Sequence, residues 1–191
     1  MHNIISAGEN SLLIYFGNKI DASLPKKIGN FASQLKNTLD DVVIDVIPAN
    51  TSLLVSYDLN KISFQDFFDK VSTLLGRQDS VGTNAESQTT HIPVYYGTEV
   101  GLDLERLLAE KNLDLKTFIE IHTAPAYLIY AIGFSPAFAY LGEIDERIQA
   151  PRLATPRIKI PAGSVGIAES QTAVYPTDSS GGWNIVGRTL L

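Results

Sequence analysis

One imidazole, a group of cations and a set of aromatic side chains on glycine- and proline-rich loops are the residues of this 191-residue chain whose types and spacing suit chemistry. His122 falls at the end of a helical pattern, and an imidazole trades protons near neutral pH without a large pKa shift. Two roles are open to it: a catalytic proton carrier, or a structural ring bonded to the backbone. Arg152, Arg157, Lys159 and Arg188 are the cations of the following region. An arginine fork suits a carboxylate or phosphoryl group, and these residues bracket Pro161-Ala162-Gly163-Ser164, whose amides can form an anion nest at Gly163 and Ser164. Arg157 and Lys159 alternate on a strand pattern and so share a face. Plain solvation is the competing reading for at least two of the four. Phe134, Pro136, Phe138, Tyr140, Gln171 and Trp183 are candidates for a groove or partner-binding wall, with plugs at a barrel end as the alternative. Ser135 and Ser164 sit in no GxSxG elbow, and Ser164 is expected to donate a turn hydrogen bond.

Composition removes several chemistries. The chain has no cysteine, which excludes disulfides, thiolate nucleophiles and cysteine-based zinc sites. Its histidines, His2, His91 and His122, show no metal-ligand spacing, so no metal is predicted. Neither GxxxxGK[ST] nor a GxGxxG after a strand occurs, and ATP chemistry would need a separate partner chain. A net charge of -6 with no cluster of Lys and Arg argues against nucleic-acid binding. No apolar run is long enough to span a bilayer and no signal segment opens the chain, so a soluble, cytoplasmic protein is expected.

The elements that must position these residues read as two domains. In residues 1–76, a strand over 11–16 precedes a helix with Ser23 offering a cap oxygen, Pro25 near its start, and Leu24, Ile28, Phe31, Leu35 and Leu39 on one face. Val42 to Ile47 and Ser52 to Tyr57 predict a hairpin. A second helix follows, with Ser63 and Asp66 in capping-box spacing and Phe64, Phe67, Phe68, Val71, Leu74 and Leu75 inward. This order predicts a ferredoxin-like α+β unit. Residues 77–90 are polar and predict a linker. The second domain, 91–191, opens on a strand at Ile92 to Tyr96. Two short helices follow, capped by Asp103 and Asp114, with Leu104, Leu107, Leu108, Phe118, Ile119 and His122 inward. From Tyr127 onward, Gly and Pro punctuation predicts short strands in a mainly β barrel. Asn184 to Leu191 reads as a strand with an open edge, which predicts pairing with another copy or a partner, or poor order at the end.

The run GFSPAFAYLG, then TPRIKIPAGSVGIAESQTAVYP, then SGGWNIVGRT, resembles the signature of the family formed by the B subunits of bacterial 5-oxoprolinases. That family includes the KipI-type inhibitor of a histidine kinase and is similar to the first component of allophanate hydrolase. The resemblance extends upstream through Ile92 to Gly97 and His122 to Pro125. It implies a cyclophilin-like barrel and a role within an ATP-dependent 5-oxoprolinase, beside C-type and A-type partner subunits. In that chemistry the lactam oxygen is phosphorylated and water opens the ring to glutamate. His122 would then move protons or orient the water, and Arg157, Lys159 or Arg188 would hold the carboxylate or phosphoryl group. Binding and inhibition of a sensor histidine kinase through Phe138, Tyr140 and Trp183 is the regulatory alternative, and allophanate hydrolysis a further one. The family usually reads PGFPYLG where this chain has Pro136-Ala137-Phe138-Ala139-Tyr140, and has a Gly near Glu169 and a Pro at Ser180, which predicts differently shaped loops. It also continues for a few strands past this chain's last residues, so a truncated chain is expected.

Overall fold

A computed structural model describes residues 3–77 and 88–190, grouped into two compact units, Met1–Ser87 and Gln88–Leu191. The expected linker falls mostly on 78–87, outside the described residues.

In the first unit, β1 (Asn3–Ser6), β2 (Ser11–Tyr15), β3 (Val43–Pro48) and β4 (Ser52–Tyr57) form an antiparallel sheet in the order β1-β2-β4-β3. Helices α1 (Leu24–Thr38) and α2 (Phe64–Gly76) bury Leu24, Ile28, Phe31 and Leu35, and Phe67, Val71 and Leu75. The apolar spacing therefore faces the core except at Phe64, expected inward, which at the first turn of α2 is 39% exposed. Ser63 caps α2 by accepting from the Asp66 amide at 3.2 Å. Ser23 does not cap α1; its hydroxyl donates instead to Asp21 Oδ1. Strand β1 was not legible in the pattern.

In the second unit, α3 (Leu104–Lys111) and α4 (Leu115–Thr123) meet at Asn112, which takes a left-handed conformation that an amide side chain tolerates. Asp114 caps α4 through the Thr117 amide at 2.8 Å. The strands are β5 (Leu128–Ile132), β6 (Ala139–Gly142), β7 (Arg157–Ile160), β8 (Ser164–Ala168), β9 (Gln171–Val174), β10 (Ser179–Gly181) and β11 (Asn184–Arg188). Five of them make an antiparallel sheet, β11-β8-β9-β6-β5, and β10 and β7 form a separate ribbon. Alternation along β8 and β11 sends Val165, Ile167 and Val186 to a core with Leu104, Leu107, Phe118 and Ile121. Ile185 and Ala168 enter a second core with Phe138, Ile160, Tyr175 and Trp183. No helix among the described residues is long and apolar enough to cross a membrane.

Two expectations for this unit change. Ile92 to Tyr96 forms no strand, only a bridge in which Tyr95 and Arg188 exchange backbone hydrogen bonds. Pro93 has no amide to give a ladder. The edge expected at β11 is covered in part: β11 is the outer strand of its sheet, but the Tyr95 bridge holds one end, the Asp103 amide donates to the Ile185 carbonyl at 2.9 Å, and Ile185 and Val186 are fully buried, while Leu190 beyond them is 96% exposed. It is β5, paired with β6 alone among the described residues, that leaves Leu128, Ile129 and Ile132 exposed.

The loop departures keep glycine-like backbone. Phe138 donates to the Ser135 carbonyl across Pro136 and Ala137, and Ala137 has φ 64, the arrangement of a type II turn whose third position favours glycine. Glu169, at φ 51, is strained in the same way. Ala137→Gly is expected to stabilise the second unit by about 1 kcal/mol, because an L residue costs roughly that in the left-handed region. Urea unfolding of the two proteins measures it; equal midpoints would count against the strain.

Candidate functional site

The aromatic residues singled out above converge. Phe138 lies edge-on to Phe134 (centroids 5.4 Å apart), Tyr140 (4.9 Å), Tyr175 (5.1 Å) and Trp183 (5.7 Å), and Tyr140 is 5.9 Å from Trp183. These are the preferred edge-to-face contacts of aromatic clusters. Phe138 and Trp183 are buried, Tyr140 is half-buried, and Phe134 is 64% exposed with Pro136 beside it at the surface. Gln171 stands apart from this cluster, packed against Gly142, with its buried amide nitrogen lacking a hydrogen-bond partner.

Arg152 joins the cluster from above, its guanidinium carbon 6.0 Å from the Trp183 ring centroid. Its backbone is pinned on both sides. Asn184 donates to the Pro151 carbonyl at 2.9 Å, and the Leu153 amide donates to the Gly182 carbonyl at 2.7 Å. The segment carrying Arg152 is thus tied to the turn carrying Trp183. Burial pushes the Tyr175 hydroxyl up to about 12, while the charges of Arg152 and Arg157 pull the other way.

Of the other expected anion ligands, Arg157 and Lys159 are held in ion pairs. Arg157 grips the Asp103 carboxylate with both arms, at 2.9 and 2.8 Å; Asp103 is 4% exposed and its Oδ2 also accepts from the Ile185 amide at 2.7 Å. Asp103 therefore clamps β7 and β11 and makes no side-chain cap to α3, contrary to expectation. Lys159 pairs with Asp178 at 2.8 Å, and Arg188 donates to the Ala162 carbonyl. The Asp178 carboxyl is held below its ordinary range by Lys159 first and by the Ala162 amide second. The turn amides are engaged too: Ala162 to Asp178, Gly163 to the Tyr175 carbonyl, and Ser164 to the Pro161 carbonyl. With its donors satisfied inside the protein, this turn is no anion nest. Ser164 itself is buried in β8.

His122 is 4% exposed, and burial pulls its pKa down to about 4, so the ring is neutral at pH 7. Thr172 donates to the Gly166 carbonyl at 3.1 Å, which leaves its oxygen to accept from His122 Nε2 at 3.0 Å. Nδ1 then accepts from Tyr96, 2.6 Å away, whose phenol burial keeps protonated. Tyr127 donates to the His122 carbonyl at 2.6 Å. Both ring nitrogens are hydrogen-bonded inside the protein, an arrangement that suits the structural role of the two open to this histidine.

Sequence reasoning missed Asp103, Tyr96, Thr172 and Tyr175. Tyr96 and Tyr175 belong to apolar-rich runs and Thr172 to a short strand, so no local signal separates them from ordinary core.

The family described as carboxyltransferase domain, subdomain C and D, matches residues 2–191. The 5-oxoprolinase B subunit of Bacillus subtilis (strain 168) is 35% identical over 201 residues, covering 100% of this chain and 83% of that protein. The 5-oxoprolinase B subunit of Haemophilus influenzae is 33% identical over 192 residues, covering 98% and 85%. The crystal structure of TTHA0988 superposes with a TM-score of 0.82 at 28% identity, covering 95% of this chain, which spans 35% of that one. With the family match running over nearly the whole chain, the chain belongs to the family of 5-oxoprolinase B subunits, within the carboxyltransferase subdomain C and D group.

Proposed function

We propose that this chain is one component of a hydrolase complex that opens 5-oxo-L-proline to L-glutamate with ATP, acting beside partner subunits of the C and A types. The observation that carries the reading is similarity at 33 to 35% identity, over nearly the whole chain, to the 5-oxoprolinase B subunits of two bacteria. ATP belongs on a partner in this reading. The glycine turn among the cations has its amides bonded inside the protein, and Arg157 is neutralised by Asp103, so neither offers free donors to a triphosphate. Glutamate release should require this chain together with its partners, ATP and 5-oxoproline. Equal release with this chain left out would refute the assignment.

In the same proposal the two units are separate domains. The order β1-β2-β4-β3 with two helices supports a ferredoxin-like first domain, in which β1 takes the edge position usually filled by the last strand. The cyclophilin-like character of the second rests on the resemblance of its motifs.

One observation favours a second reading, a regulator that binds a sensor histidine kinase. Exposed Ile129 lines a groove of about 430 Å3 together with Ile92, Pro93, Leu141, Val174 and Leu190. Phe138 and Trp183, expected to form such a groove, are buried instead. A dose-dependent fall in kinase autophosphorylation would support this role, and no fall at saturating protein would exclude it.

A further inference from the structure

We propose that the outer strand β5 and the apolar groove beside it form the contact between two copies of this chain, with β5 pairing antiparallel to β5 of the second copy across a two-fold axis. The inference stands apart from the function proposed above.

Strand β5 pairs with β6 alone among the described residues. An outer strand presents unpaired backbone donors and acceptors, and proteins blunt such edges with charge, proline, shortness or a bulge. The outer strands of the first sheet follow that rule: β3 carries Asp45 and Pro48, and β1 is four residues long with Asn3 and Ser6 at its ends. Strand β5 reads Leu-Ile-Tyr-Ala-Ile, with neither charge nor proline. Its pairing with β6 shifts register between Ile129 and Ala131, yet Leu128, Ile129 and Ile132 remain 45, 51 and 59% exposed.

The groove extends this edge. Ile129 lines it with Ile92 and Leu190, which are themselves exposed. At roughly 100 Å2 for each of Leu128, Ile129, Ile132, Ile92 and Leu190, the patch offers about 500 Å2 of apolar surface. That is near the upper end of what a monomer usually exposes, and two such patches reach the roughly 1,000 Å2 at which specific interfaces begin. Charge selects the occupant. No Lys, Arg, Asp or Glu lines the groove, so a charged segment finds no counter-charge there. A second copy brings the same uncharged patch and the same open strand edge, the self-complementary pairing of a two-fold interface.

Sedimentation velocity of the full chain over about 1 to 200 μM is expected to show a reversible dimer, half-formed at about 10 μM, as suits an interface of this size. Ile129→Lys and Ile132→Lys should each weaken it by roughly tenfold or more, because each brings like charges together across the axis. Ile158→Lys, on β7 and 94% exposed, should leave it unchanged. Unaltered thermal unfolding of the lysine variants separates lost pairing from lost folding. Should either variant unfold early, hydrogen exchange of the wild-type chain decides: the β5 amides should exchange more slowly at the top of that concentration range than at the bottom, while those of β11, the other outer strand, should not respond. A monomer throughout the range, a dimer as tight in both lysine variants as in the wild type, or β5 exchange that ignores concentration overturns the proposal. Slowing of β5 exchange only when a partner subunit or a kinase is added assigns the edge to that partner and overturns the second copy.

Discussion

Replacing Asp103 by Asn is expected to destabilise the second unit by about 3 kcal/mol. Breaking a buried ion pair from one side typically costs this much, because the surviving partner keeps its desolvation penalty without its counter-charge. Here the survivor is Arg157, 28% exposed, and solvent relieves part of its loss, which places the expected cost at the lower end of the usual range. The carboxylate accepts from both arms of Arg157 and from the Ile185 amide, whereas an Asn side chain has one oxygen for the three donors. Trp183 emission during urea unfolding follows the second unit, in which it lies. A double-mutant cycle of D103N with Arg157→Met should return a coupling near about 2 kcal/mol. Coupling below about 0.5 kcal/mol would mean that the two residues are held by their surroundings and not by each other.

The second large effect is on pH dependence. His122 has a folded pKa of about 4 against an ordinary value of 6.5, with burial as the cause. The unfolded chain therefore takes up a proton at a pH where the folded chain refuses it. The contribution of the neutral ring is fully present above pH 6.5 and is lost as pH falls towards 4, by about 3 kcal/mol in all. His122→Gln keeps a donor and an acceptor for Thr172 and Tyr96 but cannot titrate. The difference in unfolding free energy between wild type and H122Q should be flat above about pH 7 and fall by that amount between pH 6.5 and 4. Carboxylates act alike in both proteins and cancel. A difference that stays constant down to about pH 4 would show that the imidazole is not held neutral, and would reopen its reading as a proton carrier.

The helices show how far local pattern reaches. Leu24, Ile28, Phe31 and Leu35 mark α1, and Asp114 marks the start of α4, because periodicity and capping act within a few residues. Asp103 looked the same in the sequence as Asp114. Its carboxylate instead finds Arg157, 54 residues away, and the Ile185 amide, 82 away. Local spacing cannot rank a cap against a buried ion pair, since the pair exists only once β7 and β11 lie beside it. Strand β1 escaped for a related reason: four residues, mostly exposed, are a strand only because β2 pairs with them.

For the candidate site, residue types were legible and their assignments were not. Phe134, Phe138, Tyr140 and Trp183 cluster as their loops suggested, since apolar rings leave water wherever the chain lets them meet. The cations depend on which counter-charge folds against each of them. By itself the sequence determined the family and the helices, because these rest on motif order and short-range periodicity. Tertiary structure alone decided that Arg157 and Lys159 are held in ion pairs, and that burial keeps His122 neutral. Charge pairing and desolvation depend on three-dimensional neighbours, and those neighbours come from segments far apart along the chain.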